Sequence, residues 1–247
     1  MNISGHTVLI TGGASGVGFA LARAFRARDN KVVLLGRDPD RLHRAADALG
    51  GAATITCDVG DLSALQGIMP ALARHAPSIL INNAAVQLNY DFTTAPLERV
   101  LSDVEAEVRV NFTGLVQLTA LTLPLLQCHP GGAVVNITSG LAFAPKKSAA
   151  VYSATKAAVR TFSKALRYQV QDAHLPLLVV DVVLPLVDTP MTSGRSGGRK
   201  VSTDFVSNAI LRGLERDRSD VYVGLARPFA ALHRLVPGVA ERLLRDG

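Results

Sequence analysis

Tyr152 and Lys156 stand four residues apart in VYSATKAAVR, residues 151–160. The stretch reads as a helix, and positions i and i+4 share one helical face. A phenol beside an ammonium can be a tuned proton donor. A free phenol titrates near about 10, and a neighbouring cation stabilises the phenolate and lowers that value. The bland alternative is one aromatic and one charge on a solvated helix surface. Ser139 lies thirteen residues before the tyrosine, at the end of the β-branched run AVVNIT. Its hydroxyl can stabilise negative charge developing on a substrate oxygen, or merely bond backbone at a strand end. Asn111 falls inside a helical stretch where asparagine is a poor helix former, so it needs a partner if buried.

A second group of residues suits a nucleotide. TGGASGVG, residues 11–18, sits between an apolar strand and a helix. Glycine lets the backbone turn tightly and approach a pyrophosphate, while the helix N-terminus offers N–H donors and a favourable dipole. The candidate contacts are Gly12, Ala14, Ser15, Gly16, Val17 and Gly18; the alternative is an ordinary tight turn. An acid at the end of the second strand would bind the ribose 2′-hydroxyl of NAD. Here Gly36 occupies that place and Arg37 follows, a guanidinium suited to the 2′-phosphate of NADP. Asp38 is the complication: in a shifted register it becomes the acidic selector, otherwise it opens the next turn with Pro39. Asp58, at the third strand's carboxyl end, can accept from the adenine amino group or cap a helix, a task for which Asp61 is better placed. The fourth strand runs into Asn82-Asn83-Ala84-Ala85, small enough for close packing of backbone and cofactor.

Positioning these groups requires a regular frame. The strand candidates are 7–11, 31–35, 53–57, 78–82, 133–138, 177–183 and 220–224. Helical patterns fill 16–28, 39–49, 61–75, 97–127, 151–172 and 203–216. Strands that alternate with helices predict a parallel sheet covered on both faces, and right-handed crossovers make it a doubly wound, seven-stranded Rossmann fold. One α/β domain accounts for residues 1–247, with 192–216 as a substrate lid and 225–247 as a helical tail broken by Pro237-Gly238.

Bulk properties narrow the function. Apolar residues make up 48% of the chain and charged residues 19%, which excludes a disordered segment. The net charge of +6 is scattered with no basic run, so no nucleic acid is expected as a partner. Cys57 and Cys128 lie far apart; two buried thiols in a reducing, cytoplasmic setting are expected, with no metal cluster. The N-terminus lacks a secretory leader pattern. The longest apolar run, residues 175–187, is too short and broken for a membrane span.

In one order, TGGASGVG, Asp58-Val59, NNAA, Asn111 in RVNFTG, Ser139 in NITSG and Tyr152-Ser-Ala-Thr-Lys156 resemble the short-chain dehydrogenase/reductase family in its compact branch. The likeness spans residues 5–225. SGLAFAP, YSATKAA and LPLVDT are most similar to its DltE-like oxidoreductases. The resemblance implies an oxidoreductase that moves a hydride between NADP(H), or NAD, and a carbonyl or secondary alcohol, such as a carbonyl reductase. It implies Tyr152 as general acid and cofactor contact, Lys156 on the nicotinamide ribose, and Asn111 holding a water that relays protons to Lys156. Val59, Asn83, Val187 and Thr189 become further cofactor contacts, and a homodimer or homotetramer is implied. Ala85 replaces a family glycine, and Pro185 stands where another is common, which stiffens the loop beneath the nicotinamide. Gln87, Leu88, Leu141, Phe143, Leu186 and Met191 make a mostly apolar candidate pocket for a small-molecule substrate. Lys146 and Lys147 follow the Ser139 loop. Arg195, Arg199 and Lys200 would meet an anionic substrate or an acidic carrier protein if the lid closes. Two rivals stay open: an NAD-dependent sugar or steroid alcohol dehydrogenase, and a non-catalytic dinucleotide-binding regulator or scaffold.

Overall fold

Apolar runs rich in Val, Ile and Leu form the strands, and the central ones are buried on both faces, as parallel sheets demand. The computed structural model describes residues 1–194 and 200–246. Its strands are β1 (Thr7–Thr11), β2 (Lys31–Gly36), β3 (Ala53–Thr56), β4 (Ile79–Asn82), β5 (Gly132–Ser139), β6 (Leu177–Leu184) and β7 (Asp220–Tyr222). They form one seven-stranded parallel sheet in the order β3-β2-β1-β4-β5-β6-β7. The expected doubly wound α/β fold is present.

The helices are α1 (Gly16–Arg26), α2 (Pro39–Ala48), α3 (Leu62–Gly67), α4 (Met69–His75), α5 (Leu97–Val108), α6 (Gly114–Leu126), α7 (Ala150–Asp172), α8 (Thr203–Glu215), α9 (Ala226–Leu235) and α10 (Pro237–Arg245). Successive strand residues face opposite sides of the sheet. Val8, Ile10, Val32 and Leu34 therefore pack with α1, α2 and α8, while Leu9, Val33, Leu35 and Val134 pack with α3, α4, α6 and α7. α8 lies against α1 and buries Val206, Ile210, Leu211 and Leu214. That part of the segment expected as a lid is core.

Three further expectations need correction. The helix expected over 61–75 breaks at Ile68, because Pro70 lacks the N–H a continuous helix needs and starts α4 instead. The helix expected over 97–127 is interrupted by a π-helical turn, Arg109–Thr113, with Asn111 at its centre. Gly114 at its end lies so close to β3's exit that a Cβ there would stand 1.9 Å from the Val59 carbonyl oxygen. Of the two cysteines expected to be buried, Cys57 is, but Cys128 is exposed just beyond α6. The tail is helical and broken at Pro237, as its sequence predicts. Among the described residues no helix is long and apolar enough to cross a membrane.

Candidate active site

β1 has β2 on one side and β4 on the other, so chain connections diverge there and leave a crevice at the strands' carboxyl ends. The glycine-rich turn occupies that crevice. Gly12 and Gly16 take φ of +62° and +53°, left-handed backbone that side chains disfavour. Gly18 permits helix and turn to meet, since a Cβ there would stand 2.4 Å from the Gly12 oxygen and 2.6 Å from Asn83 Nδ2.

The donors of α1 differ from those of its neighbours. Asp38 caps α2 by accepting from Arg41 N–H at 3.0 Å, and Asp61 caps α3 by accepting from Ser63 and Ala64 N–H. Ser15 makes no side-chain cap bond at α1. The first N–H groups of α1 are left without a side-chain cap in a cradle built of glycine, which fits a dinucleotide pyrophosphate. Asp38 thus opens α2 with Pro39 behind it. Arg37 is 65% exposed and its guanidinium lies 4.0 Å from an Asp58 carboxylate oxygen. The other Asp58 oxygen accepts from Gly60 N–H at 2.9 Å.

Thr11 and Asn83 tie the turn to β4. Thr11 Oγ1 accepts from the N–H groups of Asn83 and Ala84, each at 2.9 Å, and donates to the Ile81 carbonyl. Asn83 Nδ2 donates to the Thr11 and Gly12 carbonyls. Asn83 thus shapes the turn, and the Val17 side chain is buried in the core. On the far side, the Thr189 methyl packs 3.2 Å from where a Gly16 Cβ would be, so the loop after β6 closes onto the glycine turn. Val187 in that loop pairs with Val201, and its carbonyl accepts from Thr192 Oγ1 at 2.5 Å.

The polar groups of the other half converge on α7. Lys156 is 2% exposed, and its ammonium donates to the Ile137 carbonyl on β5 at 2.9 Å. It stands 5.6 Å from the centre of the Tyr152 ring. Burial pulls the Lys156 ammonium down to about 8, opposed by the charge of Asp181. Ser139, two residues beyond Ile137, accepts from Leu141 N–H at 3.2 Å and opens a 3₁₀ turn, Gly140–Ala142, that packs on α7. Asn111 has no exposed area. Its Oδ1 accepts from Val86 N–H and its Nδ2 donates to the Val86 carbonyl, both at 2.8 Å. Nδ2 also reaches Thr155 Oγ1 at 3.3 Å, on the residue before Lys156. The fold therefore gathers Asn111, Ser139, Tyr152 and Lys156, which lie up to 45 positions apart (156 − 111) in the chain.

Beneath them lies a network that sequence reasoning missed. Asp181 is fully buried on β6, accepts from Thr138 Oγ1 at 2.5 Å and pairs with Arg160, one turn past Lys156 on α7. Burial pushes the Asp181 carboxyl up, while Thr138 and Arg160 pull it down. Arg160 also covers the Phe143 ring at 4.4 Å and donates to the Tyr222 hydroxyl. Phe143, expected in the pocket wall, is held by this cation and by His233 of α9. The signal was available: Asp181 is an acid interrupting an otherwise apolar strand. Lys200, expected to meet a substrate, donates to the Thr192 carbonyl at 2.7 Å. Arg195 and Arg199 lie outside the described residues.

Similarity to known proteins identifies the family. Residues 6–199 match the family model for short chain dehydrogenase. The chain is 35% identical over 228 residues to the uncharacterized oxidoreductase DltE of Bacillus subtilis (strain 168), covering 90% of this chain and 89% of that protein. It is 37% identical over 203 residues to serine 3-dehydrogenase of Agrobacterium fabrum, covering 80% and 78%. The crystal structure of a short chain dehydrogenase from Burkholderia cenocepacia J2315 in complex with NADP superposes with a TM-score of 0.86 at 26% identity, covering 99% of each chain. The protein described here belongs to the short-chain dehydrogenase family and is an oxidoreductase with a Rossmann fold for a nicotinamide dinucleotide.

Proposed function

We propose that this chain interconverts a carbonyl and a secondary alcohol with NADP(H), using Tyr152 as general acid and base. The observation that carries the reading is the burial of Lys156 one helical turn from Tyr152, with its ammonium bonded to a neutral carbonyl. An ammonium taken out of water and bonded to a neutral carbonyl costs stability, and its charge, held beside Tyr152, is available to stabilise a phenolate there.

Bound nicotinamide supplies the hydride for reduction and accepts it in oxidation. Reduction leaves an alkoxide that needs a proton. Tyr152 delivers that proton, and the Lys156 charge stabilises the phenolate left behind. Ser139 donates to the substrate oxygen as it gains negative charge. Asn111 fixes the wall beside α7, and the family resemblance adds its water-holding role toward Lys156. Gly12, Ala14, Ser15, Gly16, Val17 and Gly18 receive the pyrophosphate, Asp58 and Val59 flank the adenine, and Asn83 holds the turn in shape. Val187 and Thr189 close over the nicotinamide side, where Lys156 also meets the ribose.

Preference for NADP follows from Arg37 beside Gly36, where no acid stands to bind a free 2′-hydroxyl. The Burkholderia relative's complex with NADP supports it. A homodimer or homotetramer in the cytoplasm completes the reading.

The test is NADPH and NADH oxidation across a panel of carbonyls, with Tyr152→Phe as the paired variant. Turnover that prefers NADPH and vanishes in a variant still binding NADPH is expected. Turnover that survives in Tyr152→Phe would reject the assigned acid. Tight NADPH binding without turnover on any carbonyl would favour a dinucleotide-binding regulator.

A further inference from the structure

We propose that Glu107 is a positioning residue for the substrate side of the site, acting with Asn111 to fix the segment from Val86 to Tyr90. The inference deepens the reductase reading and rests on it for its kinetic consequences. Glu107 lies on α5 four residues before Asn111 of the π turn, and both side chains reach the same segment. Like Asn111, it has no exposed area.

The two side chains grip alternate residues of one segment. Asn111 takes both the N–H and the carbonyl of Val86, and Glu107 Oε1 accepts from Leu88 N–H at 2.9 Å. Tyr90 N–H continues the pattern by donating at 3.0 Å to the carbonyl of Ser148, just ahead of α7. Bonds from residues 86, 88 and 90 are those that one edge of an extended chain offers. The segment leaves β4 directly after Asn83-Ala84-Ala85 and carries Gln87 and Leu88, candidates for the pocket wall. Glu107 and Asn111 are thus two rungs that hold this wall against the helices bearing Asn111 and Lys156.

The carboxyl is an expensive way to fill a helix position. Its second oxygen, Oε2, is buried with no hydrogen-bond partner, and so is the Tyr90 hydroxyl on the held segment. Burial pushes the Glu107 carboxyl up, the Leu88 N–H opposes this, and the charge of Asp103 adds to the rise. An apolar side chain would fill the space without that cost but would leave Leu88 N–H unpaired. What Glu107 contributes is the acceptor. The rung needs an oxygen at Oε1 and has no need of the charge.

The test compares Glu107→Gln, which keeps the acceptor, with Glu107→Leu, which fills the space without one, and Glu107→Ala. In Leu and Ala variants KM for the carbonyl substrate should rise about tenfold, the size of one lost hydrogen-bond-held contact. The NADPH dissociation constant should hold and kcat should fall less than KM rises. Glu107→Gln should stay near wild type in KM. Hydrogen exchange gives a readout independent of turnover: the amides of Val86, Leu88 and Tyr90 should exchange faster in Glu107→Leu and remain protected in Glu107→Gln. A wild type that turns over no carbonyl would sink the reductase reading while leaving the exchange result to decide the clamp. Unchanged exchange at those amides, a melting-temperature loss in a folded Leu or Ala variant with KM unmoved, or equal KM losses in the Gln and Leu variants would each overturn the proposal.

Discussion

The half of the molecule built on β1–β4 and the half built on β5–β7 with α5–α7 make their sites from different materials. The first uses backbone: left-handed glycines, a missing Cβ at Gly18, and a helix start with no side-chain cap. Its candidate charges, Arg37 and Asp58, both have side chains exposed to solvent. The second uses side chains taken out of water: Lys156, Asp181, Asn111 and Glu107 are all buried, and burial displaces the acidity of the three that ionise. A backbone site recognises shape and is spoiled by an added methyl. A site of buried polar side chains sets acidity and is spoiled by a lost partner.

The sharpest break of that contrast is Tyr152→Phe. Turnover should fall roughly 10²–10⁴-fold, the span of a lost general acid, while NADPH affinity holds, because the first half is untouched. A parallel loss of affinity, read by fluorescence titration, would show that the halves are not separable.

Next in size is the pH dependence of stability contributed by Lys156. In the unfolded chain this lysine titrates near 10.5, and in the fold burial brings it down to about 8. Between those values the unfolded state holds a proton that the folded state has released, so stability rises with pH across the window. Below pH 8 both states are protonated and the whole cost of burying the charge remains. Lys156→Met should therefore be the more stable protein at pH 7 by on the order of 3 kcal/mol. Its advantage should shrink toward pH 10 in paired denaturant titrations. A constant difference from pH 7 to 10 would contradict a buried, depressed lysine.

Gly18→Ala tests the backbone half. The new methyl must displace the Gly12 oxygen or the Asn83 amide, at 2.4 and 2.6 Å. A stability loss of about 1–3 kcal/mol is expected, with weaker NADPH binding and no change in the kinetic pKa of the acid. A shifted pH–rate profile would mean that the turn reaches the chemistry of α7.

The smallest effect belongs to Arg37→Ala. The preference for NADPH over NADH should drop by about tenfold or less, since the guanidinium is exposed and screened. The drop should shrink further at high salt. An unchanged NADPH-to-NADH ratio would remove Arg37 from phosphate recognition.

The nucleotide half was the more legible of the two. Its elements are local: a strand, a glycine turn and a helix in uninterrupted sequence, with Asp38 and Asp61 serving as the caps their positions before helices suggest. The Tyr152–Lys156 pair was legible for the same reason, being one helical turn. Partners across the chain were not. No local pattern announces that Asn111 binds Val86, that Arg160 seats on Asp181, or that Gly114 meets the Val59 carbonyl. The π turn at Asn111 lies within a stretch whose periodicity predicts continuous helix, because helical periodicity does not register one inserted residue.

By itself the sequence determined the order of strands and helices, the parallel sheet, the glycine turn and the pair on α7. These depend on patterns within a turn or a strand. Tertiary structure decided what those residues face. It took Lys156 out of water and put Asp181 and Glu107 where their acidity shifts. It also gathered Arg212, Arg216, Arg218 and Arg227 around one cavity of about 420 Å³ beside β7, although the basic residues form no run in the chain. Burial and electrostatic neighbourhood are properties of distance in space, and only the folded chain sets those distances.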